Sequence, residues 1–425
     1  METYQSVAGE GASLTDEAVG SVVAEFVSSV GFTGKKILCV VPDSTRTAPL
    51  GQLFAHFHQE VSGRASQIDV MIALGTHPPM SEEAILKRME WSLEDREGRF
   101  KDVKVLNHSW DDPSSLETLG TIPASEIRSL SGGLFSMDVE VQLNRLALDY
   151  DCLVVMGPVF PHEVVGFSGG NKYFFPGIGG PEILNFFHWL GAVVTNPMII
   201  GNKWTPVRKV VDRAAALIPK ERYAFCMVGD SKRYAGLFAG SPEGAWDRAS
   251  DLSAHLHIEY KDKAFNQVLS QAPPMYDELW VAGKCMYKLE PIVAEGGELI
   301  IYAPHLSEVS EVHGELIREI GYHCRDYFLE QWEKFKDYPW GVLAHSTHVH
   351  GIGRYEDGIE TPRVRVTLAT QIPEKECRQI NLGYRDPESI CPQDFQNREE
   401  DGILYVPKAG EQLFHLKERP DWAGG

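Results

Sequence analysis

Three short loops carry residue types that could perform acid–base or ligand-holding chemistry, and each follows a run of buried-type apolar residues. The first is PDSTRTAPL, Pro42 to Leu50, after KILCVVP. In an open α/β sheet the loops at the carboxyl ends of the strands line the ligand crevice, so Asp43, Ser44, Thr45 and Arg46 should point into it. An acid and a guanidinium in one loop are equally compatible with a structural turn closed by their mutual ion pair. The second is ALGTHPPM after IDVMIALG, which sets His77 at another strand terminus, with Pro78 and Pro79 blocking immediate entry into a helix. Histidine can act as acid or base near neutral pH, or simply decorate a surface, and its partners decide which.

Those partners lie in the third segment, Gly157 to Pro197, GPVFPHEVVGFSGGNKYFFPGIGGPEILNFFHWLGAVVTNP. Its glycines let backbone amides approach a ligand closely, with His162 and Lys172 among them. Lys172 could hold a phosphate or act as a nucleophile. GFSGGNK lacks the G-x-x-x-x-G-K-[ST] spacing of a P-loop, and GIGG is too short for a dinucleotide fingerprint. Pro181 suits the first turn of a helix, and EILNFFHWLGAV is apolar on nearly every face, which predicts a buried helix carrying His188. That imidazole is either a core group bonded to a carbonyl or a neutral ligand offered to a metal in dry surroundings.

Positioning these loops requires strands. KILCVVP, IDVMIALG and CLVVMG alternate with amphipathic stretches, the rhythm of βα units, and predict a mostly parallel sheet covered by helices. A second series, ELWVAG from Glu278, ELIIYAP from Glu298, RVRVTLAT and ILYVP, predicts another α/β domain. The polar stretch 261–277 with Pro273-Pro274 is read as the boundary. The expected organisation is therefore residues 1–268 carrying Lys172 and the candidate catalytic histidines, residues 269–425 supplying Lys284, and an active-site cleft between the two α/β domains. Residues 384–402 read as an exposed, turn-rich loop.

Composition narrows the function class. With 60 Asp and Glu against 40 Lys and Arg, the formal charge is −20, which disfavours nucleic acid as a partner because such binding needs a basic face to displace counterions. The N-terminus lacks a basic start and apolar core typical of a secretory signal, and no apolar run approaches the roughly 20 residues that span a bilayer. A cytoplasmic protein without membrane partners is expected. Seven scattered cysteines without CxxC spacing argue against a disulfide framework or a zinc ribbon, and read as buried small hydrophobes.

PD-x-TR, the G-T-H after a strand, P-H-x(3)-GFSGG-x-K, the helical His188 and K-x(11)-GG from Lys284 occur in that order over residues 36–304. In this the chain resembles the lactate racemase family of nickel-pincer enzymes. The resemblance implies an isomerase acting on a small 2-hydroxy acid. Its cofactor would be the nickel-pincer nucleotide, nickel pyridinium-3,5-bisthiocarboxylic acid mononucleotide, covalently attached at Lys172 with its metal ligated by His188. By the same resemblance Asp43, Thr45 and the Ser168, Gly169, Gly170 loop are candidates for holding ribose and phosphate, and Trp340 for lying near the cofactor. His77 and His162 would be the two opposed bases, and Arg46 and Lys284 would hold the carboxylate and the developing keto oxygen. A 2-hydroxy acid has a barely acidic C2 hydrogen, so removal of that hydrogen as hydride, through a 2-keto acid, avoids a carbanion. Cofactor-biosynthesis enzymes are implied as partners; the oligomeric state is not.

Lactate racemases carry a Tyr-Gln pair just before the lysine corresponding to Lys284, and here the stretch is DELWVAGK. The departure points away from lactate towards a larger or more polar 2-hydroxy acid, malate and sugar acids among the possibilities. Two other classes compete. HSTHVHG, with His345, His348 and His350, could form the metal cluster of a zinc hydrolase, although it lacks H-E-x-x-H and, as a strand, would put alternate histidines on opposite faces. A non-catalytic nucleotide or sugar-acid binder would leave His77 and His162 unexplained.

Overall fold

The computed structural model describes residues 1–44, 48–75, 77–230 and 233–418. Thr45 and Arg46 lie outside the described residues. The chain divides into two units, each assembled from three segments: 1–160, 167–187 and 206–256 form the first, and 161–166, 188–205 and 257–425 the second. The sequence reading places a single boundary after residue 268; the observed division instead assigns His162 and His188 to the second unit.

The first unit is built on a seven-stranded sheet in the order Tyr4–Val7, Tyr234–Gly240, Glu221–Gly229, Cys152–Pro158, Lys36–Pro42, Gln67–Ala73, Val105–Asn107. The five strands from Glu221–Gly229 to Val105–Asn107 pair in parallel, and Tyr234–Gly240 pairs antiparallel with both Glu221–Gly229 and the edge strand Tyr4–Val7. KILCVVP and CLVVMG are legible because a central parallel strand is covered on both faces and so is apolar throughout; Ile37 to Val41 and Cys152 to Met156 are wholly buried. One face packs on the helices Asp16–Ser29 and Leu50–Val61 through Val23, Phe26, Phe54 and Phe57. Thr15 caps the first of these helices by accepting from the Ala18 amide.

The second unit has its own five-stranded, all-parallel sheet in the order Gly383–Tyr384, Arg365–Thr370, Val293–Ala303, Phe265–Gln271, Ile403–Val406. Three segments differ from the sequence reading. FNQVLSQ, read as part of the polar boundary, is an inner strand; its Ser270 is tolerated in the core because the hydroxyl donates to the Cys285 carbonyl at 2.7 Å. LWVA, read as a strand, is a helical turn, Leu279–Ala282, with Leu279 and Ala282 three positions apart and both buried. HSTHVH, whose alternating histidines suggest a strand, belongs to the helix Trp340–His350, so His345 and His348 share a face. The helix Pro181–Val194 starts at Pro181 as expected. Six cysteines are buried, Cys391 is exposed, and all seven are free thiols. Among the described residues no helix is long and apolar enough to cross a membrane.

Candidate active site

In the first unit the sheet delivers two loops to one place. The strand Lys36–Pro42 ends at Asp43, which is 6% exposed. The parallel strand Gln67–Ala73 beside it leads into the turn of His77, whose amide bonds the Leu74 carbonyl at 3.0 Å. The carboxylate of Asp43 accepts a hydrogen bond from His77 Nδ1. Asp43, a cofactor candidate in the sequence reading, thus meets the candidate base. A carboxylate on Nδ1 fixes the proton there, orients the ring and leaves the lone pair on Nε2. The His77 side chain is 48% exposed, so that nitrogen can reach a ligand.

Arg88 holds this loop from below. It is buried, with Nε donating to the Pro42 carbonyl at 3.0 Å and one terminal nitrogen to Ala48 at 3.2 Å, so both ends of the segment containing Thr45 and Arg46 are fixed. Nothing local in KRMEW announces this role.

The glycine-rich segment is anchored just as firmly. Gly75 donates to the Gly177 carbonyl at 3.0 Å, joining the His77 turn to the chain that follows Lys172. Lys172 sits on the short 3₁₀ turn Gly170–Tyr173, after Gly169 and Gly170 at φ +87° and +57°. A Cβ at Gly170 would come within 2.9 Å of Trp246 Cβ, which is why the turn needs glycine. Fully buried Arg208 donates to the carbonyls of Phe167 (2.5 Å) and Gly169 (3.4 Å) and stacks on Trp246 at 4.0 Å, while the Trp246 indole donates to the Ser168 carbonyl at 2.9 Å. The Ser168 hydroxyl, a candidate for cofactor contact, accepts from the Phe160 amide (2.9 Å) and donates to Pro158 (3.2 Å), so it staples the loop to the end of the strand Cys152–Pro158. Asn171 is held by Asp212, Glu243 and Arg222 at 2.7–3.0 Å. Arg208, Asp212, Arg222, Glu243 and Trp246 lie far along the chain from the motif, and only the fold brings them to it.

The second unit contains His162, His188, Lys284 and Trp340. His162 is 7% exposed. Its Nδ1 accepts from the Val164 amide at 3.1 Å, and the Glu163 carboxylate lies 3.3 Å from the same nitrogen. An amide donor requires a lone pair on Nδ1, so the neutral ring carries its proton on Nε2, the opposite arrangement from His77. Glu163 is the counter-charge for a second proton on that ring. His188 is half-buried on the helix Pro181–Val194, followed by Trp189, which stacks on Trp332 at 5.6 Å; Trp332 in turn meets Trp340 at 5.6 Å. Trp340 opens the helix Trp340–His350 and donates its indole hydrogen to Lys336.

Lys284 begins the helical turn Lys284–Tyr287, with Nζ 5.3 Å from the centre of the Tyr276 ring. Just before it, Gly283 lets the helix Trp340–His350 pack closely: a Cβ there would stand 2.8 Å from Val349 and 3.4 Å from His345 Nε2. His345 donates from Nε2 to the Trp280 carbonyl at 2.9 Å and stacks on the Trp280 ring at 3.8 Å, with its Nδ1 buried and without a hydrogen-bond partner. One turn on, His348 is 4% exposed and neither ring nitrogen has a partner. Burial pushes His345 down to about 3 and His348 down to about 4, with Glu163 opposing the shift in both and His188 reinforcing it in His348. Glu163, His188, His345 and His348 therefore share one electrostatic neighbourhood in this unit. Sequence reading weighed the histidines of this helix as the metal cluster of a competing hydrolase, and gave Glu163 no role.

Residues 11–198 match the family model described as lactate racemase N-terminal domain. The chain is 24% identical over 290 residues to the lactate racemase of Thermoanaerobacterium thermosaccharolyticum, covering 66% of this chain and 61% of that protein. It is also 24% identical over 241 residues to that of Lactiplantibacillus plantarum, covering 56% and 52%. The matched portions are thus less than two thirds of either relative's length. A crystal structure of a protein from Thermotoga maritima is similar at TM-score 0.85 and 32% identity, covering 96% of this chain and all of that one. The apoprotein structure of the Thermoanaerobacterium lactate racemase shares the fold at TM-score 0.70 and 18% identity over 96% and 95% of the two chains. Residues 11–198 thus form a lactate racemase N-terminal domain, and the comparisons support that family for the chain.

Proposed function

We propose that this protein is a 2-hydroxy-acid racemase or epimerase acting on a substrate other than lactate, with a nickel-pincer nucleotide attached at Lys172 and its metal ligated by His188. The observation that carries this reading is the opposite proton placement on two histidines. His77, with Nδ1–H on Asp43, presents a lone pair at Nε2, and His162, with Nδ1 accepting from Val164, presents a proton at Nε2. Inversion through a planar 2-keto acid needs one group to take the hydroxyl proton and another to return a proton to that oxygen.

The residues present suit the cofactor. Among the described residues no three His, Cys, Asp or Glu side chains are grouped as a metal ion requires, so a metal held by the single imidazole of His188 would draw its other donors from a bound organic group. Lys172 stands on a turn whose preceding carbonyls are committed to Arg208 and Trp246, which favours a fixed point of attachment. When bound, the group supplies an acceptor for the C2 hydrogen with its electron pair.

The protein does the rest. His77 Nε2 takes the hydroxyl proton, and the Asp43 carboxylate stabilises the imidazolium that forms. His162, once protonated with Glu163 as the counter-charge at Nδ1, delivers its Nε2 proton to the substrate oxygen as the C2–H bond re-forms, which leaves a neutral ring. Lys284 and Arg46 orient the substrate carboxylate. The cofactor's biosynthetic enzymes are its expected suppliers. The test is to load the purified chain with cofactor and follow inversion of paired 2-hydroxy-acid enantiomers in deuterated water. Inversion with the C2 hydrogen retained supports the reading; wash-in of solvent deuterium at C2, or no inversion by chain that carries the adduct, refutes it.

A further inference from the structure

We propose that His345 and His348 form a substrate-specificity site that hydrogen-bonds hydroxyl groups beyond C2, which makes the substrate a polyhydroxylated 2-hydroxy acid of the sugar-acid type. The inference rests on the 2-hydroxy-acid reading above and names its substrate class.

Three nitrogens carry it. His345 donates Nε2–H to the Trp280 carbonyl, which can only accept, so in the neutral ring Nδ1 is an acceptor; it is buried and has no donor. His348 is 4% exposed and both its ring nitrogens lack partners, one necessarily a donor and the other an acceptor. Buried polar groups are nearly always paired, so three orphan nitrogens on successive turns of one helix call for a ligand. That ligand must donate to His345 Nδ1. A second carboxylate, as in a dicarboxylic 2-hydroxy acid, has no proton to give when ionised, and an alkyl chain has neither donor nor acceptor. A hydroxyl has both and matches each ring in turn.

The surroundings agree in kind. The same helix packs on Gly283, the residue before Lys284, with His345 Nε2 3.4 Å from where a Cβ would stand. Trp280, in the stretch where lactate racemases carry a Tyr-Gln pair, is stacked on His345 and 4.3 Å from the ring of His313, which holds the imidazole plane in place. Tyr287 meets His348 edge-on at 6.1 Å.

The test uses cofactor-loaded protein with D-gluconate and lactate as probes, comparing wild type with His348→Leu and His348→Gln. Leucine removes both polar atoms, whereas glutamine keeps a donor and an acceptor. The ratio of kcat/KM for gluconate over lactate is expected to fall about tenfold in the leucine variant, the worth of one neutral hydrogen bond, chiefly through KM, and to recover in the glutamine variant. A second measurement is independent of turnover. In protein labelled with nitrogen-15 at histidine, D-gluconate is expected to shift the His348 and His345 ring signals at concentrations where lactate does not. If the ratio is unchanged in the leucine variant, or the ring signals do not respond to gluconate, the site is not a hydroxyl subsite. Should wild-type protein shift those signals yet invert no 2-hydroxy acid, the catalytic reading fails and the binding site stands. Inversion of lactate with no response to gluconate has the reverse meaning.

Discussion

Replacing Asp43 by Asn separates two roles that one carboxylate could fill. Asp43 is nearly buried and bonded to His77 Nδ1, while the far side of the histidine is open. As His77 takes a proton, the ring becomes a cation and the contact becomes a charge-assisted hydrogen bond, worth about 1.5–3 kcal/mol against about 1 kcal/mol for a neutral one. The loss of about 1–2 kcal/mol corresponds to roughly 5–30-fold in rate. Asparagine can also turn its NH₂ towards Nδ1, which moves the ring proton to Nε2 and removes the base altogether; that part of the effect is bounded by the about 10²–10⁴ of a positioned general base. A fall in kcat of roughly 10–10³ per loaded molecule is therefore expected. The assay is initial-rate inversion by chiral chromatography, normalised to the fraction of chain carrying the cofactor adduct in denaturing mass spectra. An unchanged rate per loaded molecule would refute the orienting role. A loss of loading with the rate per loaded molecule intact would return Asp43 to the cofactor-holding part expected from sequence.

Other consequences can be measured separately. Lys172→Ala should abolish the covalent adduct, and an adduct of unchanged mass in denatured protein would refute the attachment point. His162→Ala should retain the adduct while inversion falls by about 10²–10⁴, and near wild-type turnover would remove it from the mechanism. Arg208→Met should lower stability by about 2–4 kcal/mol in denaturant unfolding, because the carbonyls of Phe167 and Gly169 lose their buried donor; an unaltered midpoint would show that the loop does not depend on it. Acid should destabilise the apoprotein from about pH 6.5 downwards. His108 is pushed down to about 4 and His345 to about 3, first by burial, so between pH 6.5 and those values the unfolded chain binds protons that the folded chain refuses. Stability is then present above pH 6.5 and lost as pH falls, by up to about 2 kcal/mol per histidine at pH 5. For His108 the cause is visible: Nε2 donates to Gly179 and Nδ1 accepts from Asn144, leaving no place for a second proton. A flat unfolding free energy from pH 7 to 5 would contradict this.

Legibility in the sequence followed physical locality. The strands Lys36–Pro42 and Cys152–Pro158 and the helix Pro181–Val194 were readable because burial on all sides forces continuous apolar residues, and Asp43 does follow the first of these strands as read. The strand Phe265–Gln271 was not, since a strand that hides a serine by bonding it to a distant carbonyl has no local apolar signature. HSTHVH alternates like a strand, but its histidines are sheltered by Trp280, Tyr287 and Gly283 from elsewhere in the chain, and that shelter lets a polar-looking segment form a buried helix. Arg88, Arg208, Trp246 and Asn171 escaped notice for the same reason. A supporting group is recognised by what it touches, and those neighbours are distant in sequence.

The missing side chain at Gly283 also constrains how such a protein can change. With no room for a methyl group between this backbone and Val349, the lysine that follows and the imidazoles on the facing helix are mechanically geared together. Neither can drift without dragging the other, so new substrates are more readily accommodated by exchanging side chains at positions 345 and 348 than by sliding the helix that bears them.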